Sequence, residues 1–123
     1  MGRLKKRQTV YISETNFQVI DAIVDKEESN DVAQAEETFT WAEGKFTSAL
    51  AWVECAGEYL KQAKFTHAGV AYMLAAAISI EKGKRYDANR NYTKASVCFF
   101  KTSDRGRAEQ CKTKANSYSV VRL

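Results

Sequence analysis

Proline is absent from this chain of 123 residues, and histidine occurs once, at His67. Proline breaks helix interiors, so its absence is typical of a chain that is helical over most of its length. A single histidine with no cysteine or carboxylate at a suitable spacing gives no nucleophile–base pair. The sequence also lacks a glycine-rich phosphate loop, an HExxH motif and an EF-hand loop. It therefore predicts no enzyme, no cofactor and no metal site.

The chain also has few cysteines and no long apolar segment. Cys55, Cys98 and Cys111 are odd in number and have no CxxC spacing. We therefore predict buried free thiols in a reducing compartment rather than a disulfide framework or a zinc site. The longest apolar run, residues 69–80, is too short to span a bilayer, and the first residues lack the apolar core of a secretory signal. These absences predict a cytoplasmic protein with no integral membrane segment.

A short pattern recurs four times along the chain, at intervals of 19 or 20 residues. Its anchors are Gly44, Ala63, Gly83 and Ser103. A large apolar residue stands three positions before each anchor: Trp41, Leu60, Ile80 and Phe100. Alanine stands five and twelve positions after each anchor: Ala49, Ala56, Ala68, Ala75, Ala88, Ala95, Ala108 and Ala115. About twenty residues make one helix and one turn, and alanines seven apart share a helix face that a neighbouring helix can approach closely.

This repeat predicts an all-α fold, an antiparallel helical-hairpin solenoid of about five to six helices, because a unit that cannot bury its own face must stack on its neighbours. A first helix is expected from the Ser13 cap to about Lys26. The later helices are expected near residues 31–43, 46–62, 65–82, 86–102 and 105–119. Gly44 and Gly83 suit the left-handed position that ends a helix. The short turns predict that sequential helices are antiparallel neighbours.

The first residues have a different pattern from the repeat. Residues 7–13 alternate apolar and polar side chains and are rich in β-branched residues, which predicts a short N-terminal β-strand. We accordingly divide the chain into residues 1–30, a basic arm with this strand and the first helix, and residues 31–123, the helical repeat domain.

Charge is divided along the chain, although the net charge is only +4. Residues 1–13 carry four basic residues and no acid, a net charge of +4. Residues 14–43 hold nine acids against one lysine, a net charge of −8. Residues 44–123 hold fourteen basic residues against six acids, a net charge of +8. The three segments could fold against one another, or the basic body could face an acidic protein, a membrane surface or a nucleic acid.

Two segments, Ala68-Tyr72-Ala75 and Ala88-Tyr92-Ala95, have the spacing of the second helix of a tetratricopeptide repeat. The period here is longer, near 40 residues for a helix pair, and in this respect residues 41–119 resemble the SNAP family, the soluble NSF attachment proteins. That resemblance implies a protein-interaction adaptor that lays a basic face on an acidic or helical partner. The residues it implicates are Lys45, Lys64, Lys84, Arg85, Arg90, Lys94, Arg105 and Arg107.

A second resemblance concerns residues 5–40. Lys6 to Ser13 followed by a helix looks like the opening of the ribbon-helix-helix DNA-binding fold, in which two chains pair their strands in the major groove. It implies base contacts from Arg7, Thr9 and Tyr11, and phosphate contacts from Lys5 and Lys6. The alternative function is then a DNA-binding transcriptional regulator whose helical body oligomerises, for example as a homodimer, or binds a partner. A basic tail leading into a capping helix remains the third interpretation of the arm.

Overall fold

The computed structural model describes residues 13–119, and this part of the chain is helical throughout. Its six helices are α1 (Glu14–Glu28), α2 (Val32–Lys45), α3 (Ala49–Lys61), α4 (Phe65–Glu81), α5 (Arg85–Lys101) and α6 (Arg105–Ser117). The all-α prediction is confirmed. The strand predicted over residues 7–13 lies outside the described residues, except for Ser13. That residue has the extended backbone of an N-cap, and its N–H donates to Asn16 Oδ1 at 3.1 Å.

Four of the five connections between helices have the same geometry. Each places one residue in the left-handed region: Asn30 (φ 67°), Ala63 (φ 58°), Gly83 (φ 72°) and Ser103 (φ 67°). After α3, for example, the Ala63 N–H donates to the Leu60 carbonyl and the Lys64 N–H to the Tyr59 carbonyl, both at 3.0 Å. These bonds satisfy the last carbonyls of the helix. The residue after the left-handed one is already the N-cap of the next helix, so consecutive helices fold back on each other.

The connection between α2 and α3 differs, and the prediction for Gly44 is wrong. Gly44 lies inside α2, which continues to Lys45, and α3 begins at Ala49 rather than near residue 46. Ser48 caps α3, because its Oγ accepts the Ala51 N–H at 3.2 Å. The first of the four left-handed turns is therefore at Asn30, before α2, and not at Gly44. The alanines five and twelve residues later, Ala35 and Ala42, are buried like those of α4, α5 and α6.

Helices α3, α4, α5 and α6 form a row in which each packs against the next. They run antiparallel: Asn89 Nδ2 donates to the Ala115 carbonyl at 2.7 Å, and Ser96 Oγ donates to the Ala108 carbonyl at 2.8 Å. The expectation that all sequential helices are neighbours is wrong for one pair. Helix α2 packs against α1 and α4 rather than against α3. The α1–α2 hairpin therefore lies on the row, mainly over α4.

Helix α4 is the centre of the fold because it has neighbours on nearly every side. The predicted contact alanines Ala68 and Ala75 on α4 and Ala88 and Ala95 on α5 are fully buried. At Gly69 there is no room even for a Cβ, which would lie 2.7 Å from the Phe99 ring of α5. Small side chains at these positions let the two helices pack at short range, as the repeat predicts.

Arg107 on α6, the last helix of the row, forms an ion pair with the α1–α2 hairpin. Its Nη1 lies 2.8 Å from Glu27 Oε2, its Nε lies 3.0 Å from Asp104 Oδ2, and its guanidinium lies 4.3 Å from the centre of the Phe99 ring. Burial alone would raise the pKa of Asp104, but hydrogen bonds from Arg107 hold that pKa below its usual value. The ion pair to Glu27 joins α6 to α1 across 80 residues of sequence.

The boundary drawn at residue 30 falls in the turn between α1 and α2, which pack against each other. Most acids of the hairpin, including Glu14, Asp25 and Glu36, face solvent. The hairpin is therefore held on the row chiefly by buried apolar side chains such as Ile20 and Ile23. None of the helices within residues 13–119 is both long enough and apolar enough to span a membrane.

Candidate functional site: a groove over α4

A groove runs between α3 and α5 with α4 as its floor, and we call it the α4 groove. It consists of two adjoining hollows of about 330 and 250 Å³ that share Lys94. The first, called the basic half, is lined by Leu60, Phe65, Tyr72, Thr93, Lys94, Val97, Cys98 and Lys101. The second, called the polar half, is lined by Ala49, Leu50, Val53, Ser79, Asp87, Arg90, Asn91 and Lys94.

The two walls of the groove differ in chemistry. The α3 wall is apolar, with Leu50 and Leu60 respectively 47% and 37% exposed. The α5 wall combines exposed basic and apolar side chains on one stripe of the helix. That stripe consists of Tyr86, Arg90, Thr93, Val97 and Phe100, spaced alternately by four and three residues, and its middle members Arg90, Thr93 and Val97 line the groove. Such spacing keeps one helix face in contact with a second helix along its length, so the exposed side of α5 suits a helical partner.

Two lysines of α5 reach over the aromatic floor of the basic half. Lys94 Nζ lies 5.8 Å from the centre of the Tyr72 ring, and Lys101 Nζ lies 5.5 Å from the centre of the Phe65 ring. The lysines are seven residues apart and so are the rings, so the two contacts repeat after two turns of each helix. Cation–π contacts of this kind hold a charged head close to an apolar surface.

No acid lines the basic half, and its two weakly acidic groups stay neutral. Burial, with a smaller contribution from Cys98, raises the pKa of the Tyr72 hydroxyl. Burial also raises the pKa of the Cys98 thiol to about 11, although Lys101 opposes that shift. Neither group offsets the positive charge of Lys94 and Lys101 near neutral pH. This half of the groove is therefore apolar at its floor and positively charged along one wall.

The eight residues that the sequence predicts to bind a partner do not form one surface in the structure. Only Arg90 and Lys94 line the α4 groove. Lys64, Lys84 and Arg105 are exposed at the starts of α4, α5 and α6, and Lys45 is exposed at the end of α2.

The remaining two arginines are engaged within the molecule. Arg85 Nη2 donates to the Ser117 carbonyl at 3.0 Å, and Arg107 forms the ion pairs to Glu27 and Asp104. The five residues proposed to contact DNA lie outside the described residues: Lys5, Lys6, Arg7, Thr9 and Tyr11.

Sequence reasoning missed Lys101 and the apolar residues that share the groove with it. The sequence did contain a signal for these residues. Ala88 and Ala95 identify the buried face of α5, and the residues on the opposite face are therefore expected to be exposed. Lys101 follows Lys94 by seven residues and therefore lies on nearly the same side of the helix. What the pattern could not provide was the apolar wall opposite, because Leu50 and Leu60 belong to α3.

The lone histidine lies near an acid that sequence spacing did not suggest. His67 Nε2 is 3.8 Å from Asp21 Oδ1, and the Tyr59 hydroxyl is 2.8 Å from the same oxygen. Burial, followed by the hydrogen bond to Asp21, raises the pKa of Tyr59, so this hydroxyl remains a neutral donor. These residues join α1 to α3 and α4 and line neither half of the α4 groove. We therefore interpret the contacts among His67, Asp21 and Tyr59 as structural, because they hold α1 against α3 and α4.

A second groove, of about 490 Å³, lies on the other side of α4, beside the α1–α2 hairpin. Its lining is mostly apolar and includes Ile23, Phe39 and Met73. The Glu27–Arg107 ion pair lines it too, but both charges already face each other within the molecule. The exposed acid Glu36 lines this groove as well, so the second groove offers a partner one acid beyond the ion pair, whereas the basic half of the α4 groove offers two lysines.

No protein-family model, curated protein or solved structure matches this chain.

Proposed function

We propose that this chain is a protein–protein interaction module that binds an acidic helical segment of a partner in the α4 groove. The observation that carries the proposal is the pairing of an apolar wall and floor with a basic wall. Leu60 and Phe65 offer apolar surface, while Lys94 and Lys101 offer positive charge beside it. An amphipathic helix with acids flanking its apolar stripe satisfies both surfaces at once.

We further propose that α3–α6 form a short helical-hairpin solenoid of the tetratricopeptide-like or SNAP-like class. The three similar turns within this row, at Ala63, Gly83 and Ser103, and the antiparallel order of its helices support this assignment. In such stacks, neighbouring repeats create extended binding surfaces, and the α4 groove has that relation to α3, α4 and α5. The adaptor role that the SNAP resemblance implies agrees with a basic groove for an acidic partner.

The charge of the groove favours a different protein as partner over a second copy of the same face. A symmetric dimer would place the same surface on both subunits. Two α5 walls would then bring the basic residues of one subunit, Arg90, Lys94 and Lys101, close to the same set of residues of the other. Like charges at an interface oppose association. An acidic helix has no such penalty.

A synthetic peptide tests the proposal directly. The probe is a fluorescein-labelled helical peptide of about 18 residues, with leucines on one face and glutamates beside them; at about 1.5 Å per residue it spans the groove. The variant Lys94→Glu/Lys101→Glu should weaken its binding roughly tenfold or more, since each exposed pair contributes about 0.2–1 kcal/mol and reversal adds repulsion. Fluorescence anisotropy measures the Kd.

The matched control is Arg105→Glu/Lys112→Glu, which changes the net charge equally at exposed positions on α6, outside the groove. It should leave the Kd nearly unchanged. Raising the ionic strength from about 0.01 to about 1 M should weaken binding to the unmodified protein, because the screening length falls from about 30 to about 3 Å. Equal effects of both double variants, or no peptide binding at all, would contradict the proposal.

The rival function, a DNA-binding regulator, rests on the arm that precedes Ser13. Among the described residues, Glu36 and Glu37 are exposed on α2, and acids near a DNA backbone oppose binding. A gel-shift assay at low salt with duplex DNA separates the two functions. A shift that is lost when residues 1–8 are deleted would favour the regulator, whereas peptide binding that survives the deletion would favour the adaptor.

A further inference from the structure

The two halves of the α4 groove differ in charge. The basic half is lined by Lys94 and Lys101 and by no acid. The polar half shares Lys94 and also contains Arg90, but Asp87 lies one turn from Arg90 along the same wall, so the lining there has a net charge of +1 against +2 in the basic half. Asn91 and Ser79 add uncharged polar groups there. A partner helix whose acids lie in one half and whose other half is neutral matches this asymmetry.

The helices around the groove also give it a direction. Helices α3 and α5 both begin beside the polar half, at Ala49 and Arg85, and both end beside the basic half. Their dipoles therefore point the same way along the two walls. A partner helix that runs antiparallel to α3 and α5 has its dipole opposed to both of theirs, and these two favourable pairings outnumber the single unfavourable one with α4, to which it would run parallel.

The two effects agree on one orientation. A partner helix antiparallel to α3 and α5 has its N-terminus at the basic half, and acids in the first turns of a helix are stabilised by that helix's own dipole. The C-terminal ends of α3 and α5 carry about half a negative charge each. The full charges of Lys94 and Lys101 exceed this sum, so the basic half still attracts acids.

On the basis of the function proposed above, we infer that the α4 groove binds its partner in a single direction. The partner is a helix antiparallel to α3 and α5. Its N-terminal half is acidic and apolar and lies over Phe65 and Tyr72, and its C-terminal half is uncharged and lies over Ser79 and Asn91. The charge order of the partner sequence, and not only its net charge, then determines which helices bind.

Two peptides of identical composition test the charge order. One carries its glutamates in the first two turns, the other in the last two, and both keep the same leucine positions. The peptide with N-terminal glutamates should bind at least about fivefold more tightly, with Kd measured by fluorescence anisotropy. Both peptides should be helical to the same extent by circular dichroism, which a helix-promoting cosolvent or a side-chain crosslink in each can ensure. Equal Kd values at matched helicity would overturn the inference while leaving the proposed groove function intact.

The direction itself is read by nuclear magnetic resonance on the isotope-labelled protein. A nitroxide at the N-terminus of the tighter peptide should broaden the amide signals of Leu60 and Lys101 most strongly. A nitroxide at its C-terminus should instead broaden those of Leu50 and Arg90. The opposite pattern, or equal broadening at both ends, would overturn the single direction. Binding of neither peptide would instead overturn the proposed function on which the inference rests.

Discussion

Gly69 is a position on α4 where the packing of α5 leaves no room for a side chain. The ring of Phe99, which is fully buried, occupies the space that a side chain at residue 69 would need. Glycine weakens the interior of a helix by roughly 0.5–1 kcal/mol relative to alanine. The packing of the Phe99 ring against Gly69 therefore offsets the local cost of a glycine inside α4.

Gly57 is the matched contrast on α3, because a Cβ there would meet nothing within 4 Å. We expect Gly57→Ala to stabilise the protein by roughly 0.5–1 kcal/mol through helix propensity alone. Gly69→Ala should instead destabilise it by about 1–3 kcal/mol, since the new methyl group overpacks the contact with Phe99. Urea unfolding measures both. Stabilisation by Gly69→Ala would show that Phe99 can move aside without loss.

At the scale of the element, the turns between helices place different residue types in the same left-handed backbone conformation. Ala63 and Gly83 occupy equivalent left-handed positions, 20 residues apart, after α3 and α4. Left-handed backbone costs an L-residue roughly 1–2 kcal/mol and costs glycine almost nothing. The turn at Ala63 therefore contains strain that the turn at Gly83 avoids, although the hydrogen bonds are the same.

Exchanging these two residues tests the equivalence. Ala63→Gly should raise the free energy of unfolding by up to about 1 kcal/mol, because relief of strain exceeds the added freedom of the unfolded chain. Gly83→Ala should lower it by about the same amount. Thermal or urea unfolding of the two single variants provides the comparison. If both substitutions shifted stability in the same direction, the two turns would not be equivalent.

Over the whole molecule, charge and apolar surface are separated. The α1–α2 hairpin carries the excess of acids and the row α3–α6 the excess of bases, yet only a few ion pairs cross between them, including Glu27–Arg107. The apolar faces hold the two parts together and leave most of their charges exposed. This division leaves the α4 groove basic, although the molecule also carries many acids.

Alkaline pH should weaken the whole fold, because three thiols are buried. Burial raises the pKa of Cys55 to about 12 and the pKa values of Cys98 and Cys111 to about 11, from 9.0 in an exposed thiol. Above pH 9 the unfolded chain binds fewer protons than the folded one at these groups. Their contribution to stability is therefore complete below about pH 9 and is lost as pH rises through 11 to 12.

Urea unfolding between about pH 8 and pH 11 measures this dependence. Lysines titrate in the same range, so the Cys55→Ala variant is the control that isolates one thiol. It should show a shallower loss of stability with pH than the unmodified protein, whatever its stability at pH 8. Identical slopes in the two proteins would contradict a thiol contribution at Cys55.

The sequence alone determined the features that depend on neighbours in the chain. The absence of proline and the regular alanines predicted helices whose ends mostly agree with the structure within three residues. They also predicted the buried faces of α4 and α5, because helix periodicity ties Ala68 to Ala75 and Ala88 to Ala95. Turn chemistry was predicted correctly at Gly83 but not at Gly44, which is the second-last residue of α2 and does not adopt the left-handed backbone.

Only the tertiary structure decided which helices meet. Packing of α2 on α4 rather than on α3 depends on the apolar surface of the whole hairpin, which no local pattern encodes. The same is true of the α4 groove, whose basic wall and apolar wall come from helices separated by a complete third helix. Arg107 was grouped with Arg90 from sequence, yet the fold pairs Arg107 with Glu27 and leaves Arg90 in the groove. The function of a charged side chain here follows from what packs opposite it, and that is a long-range property of the fold.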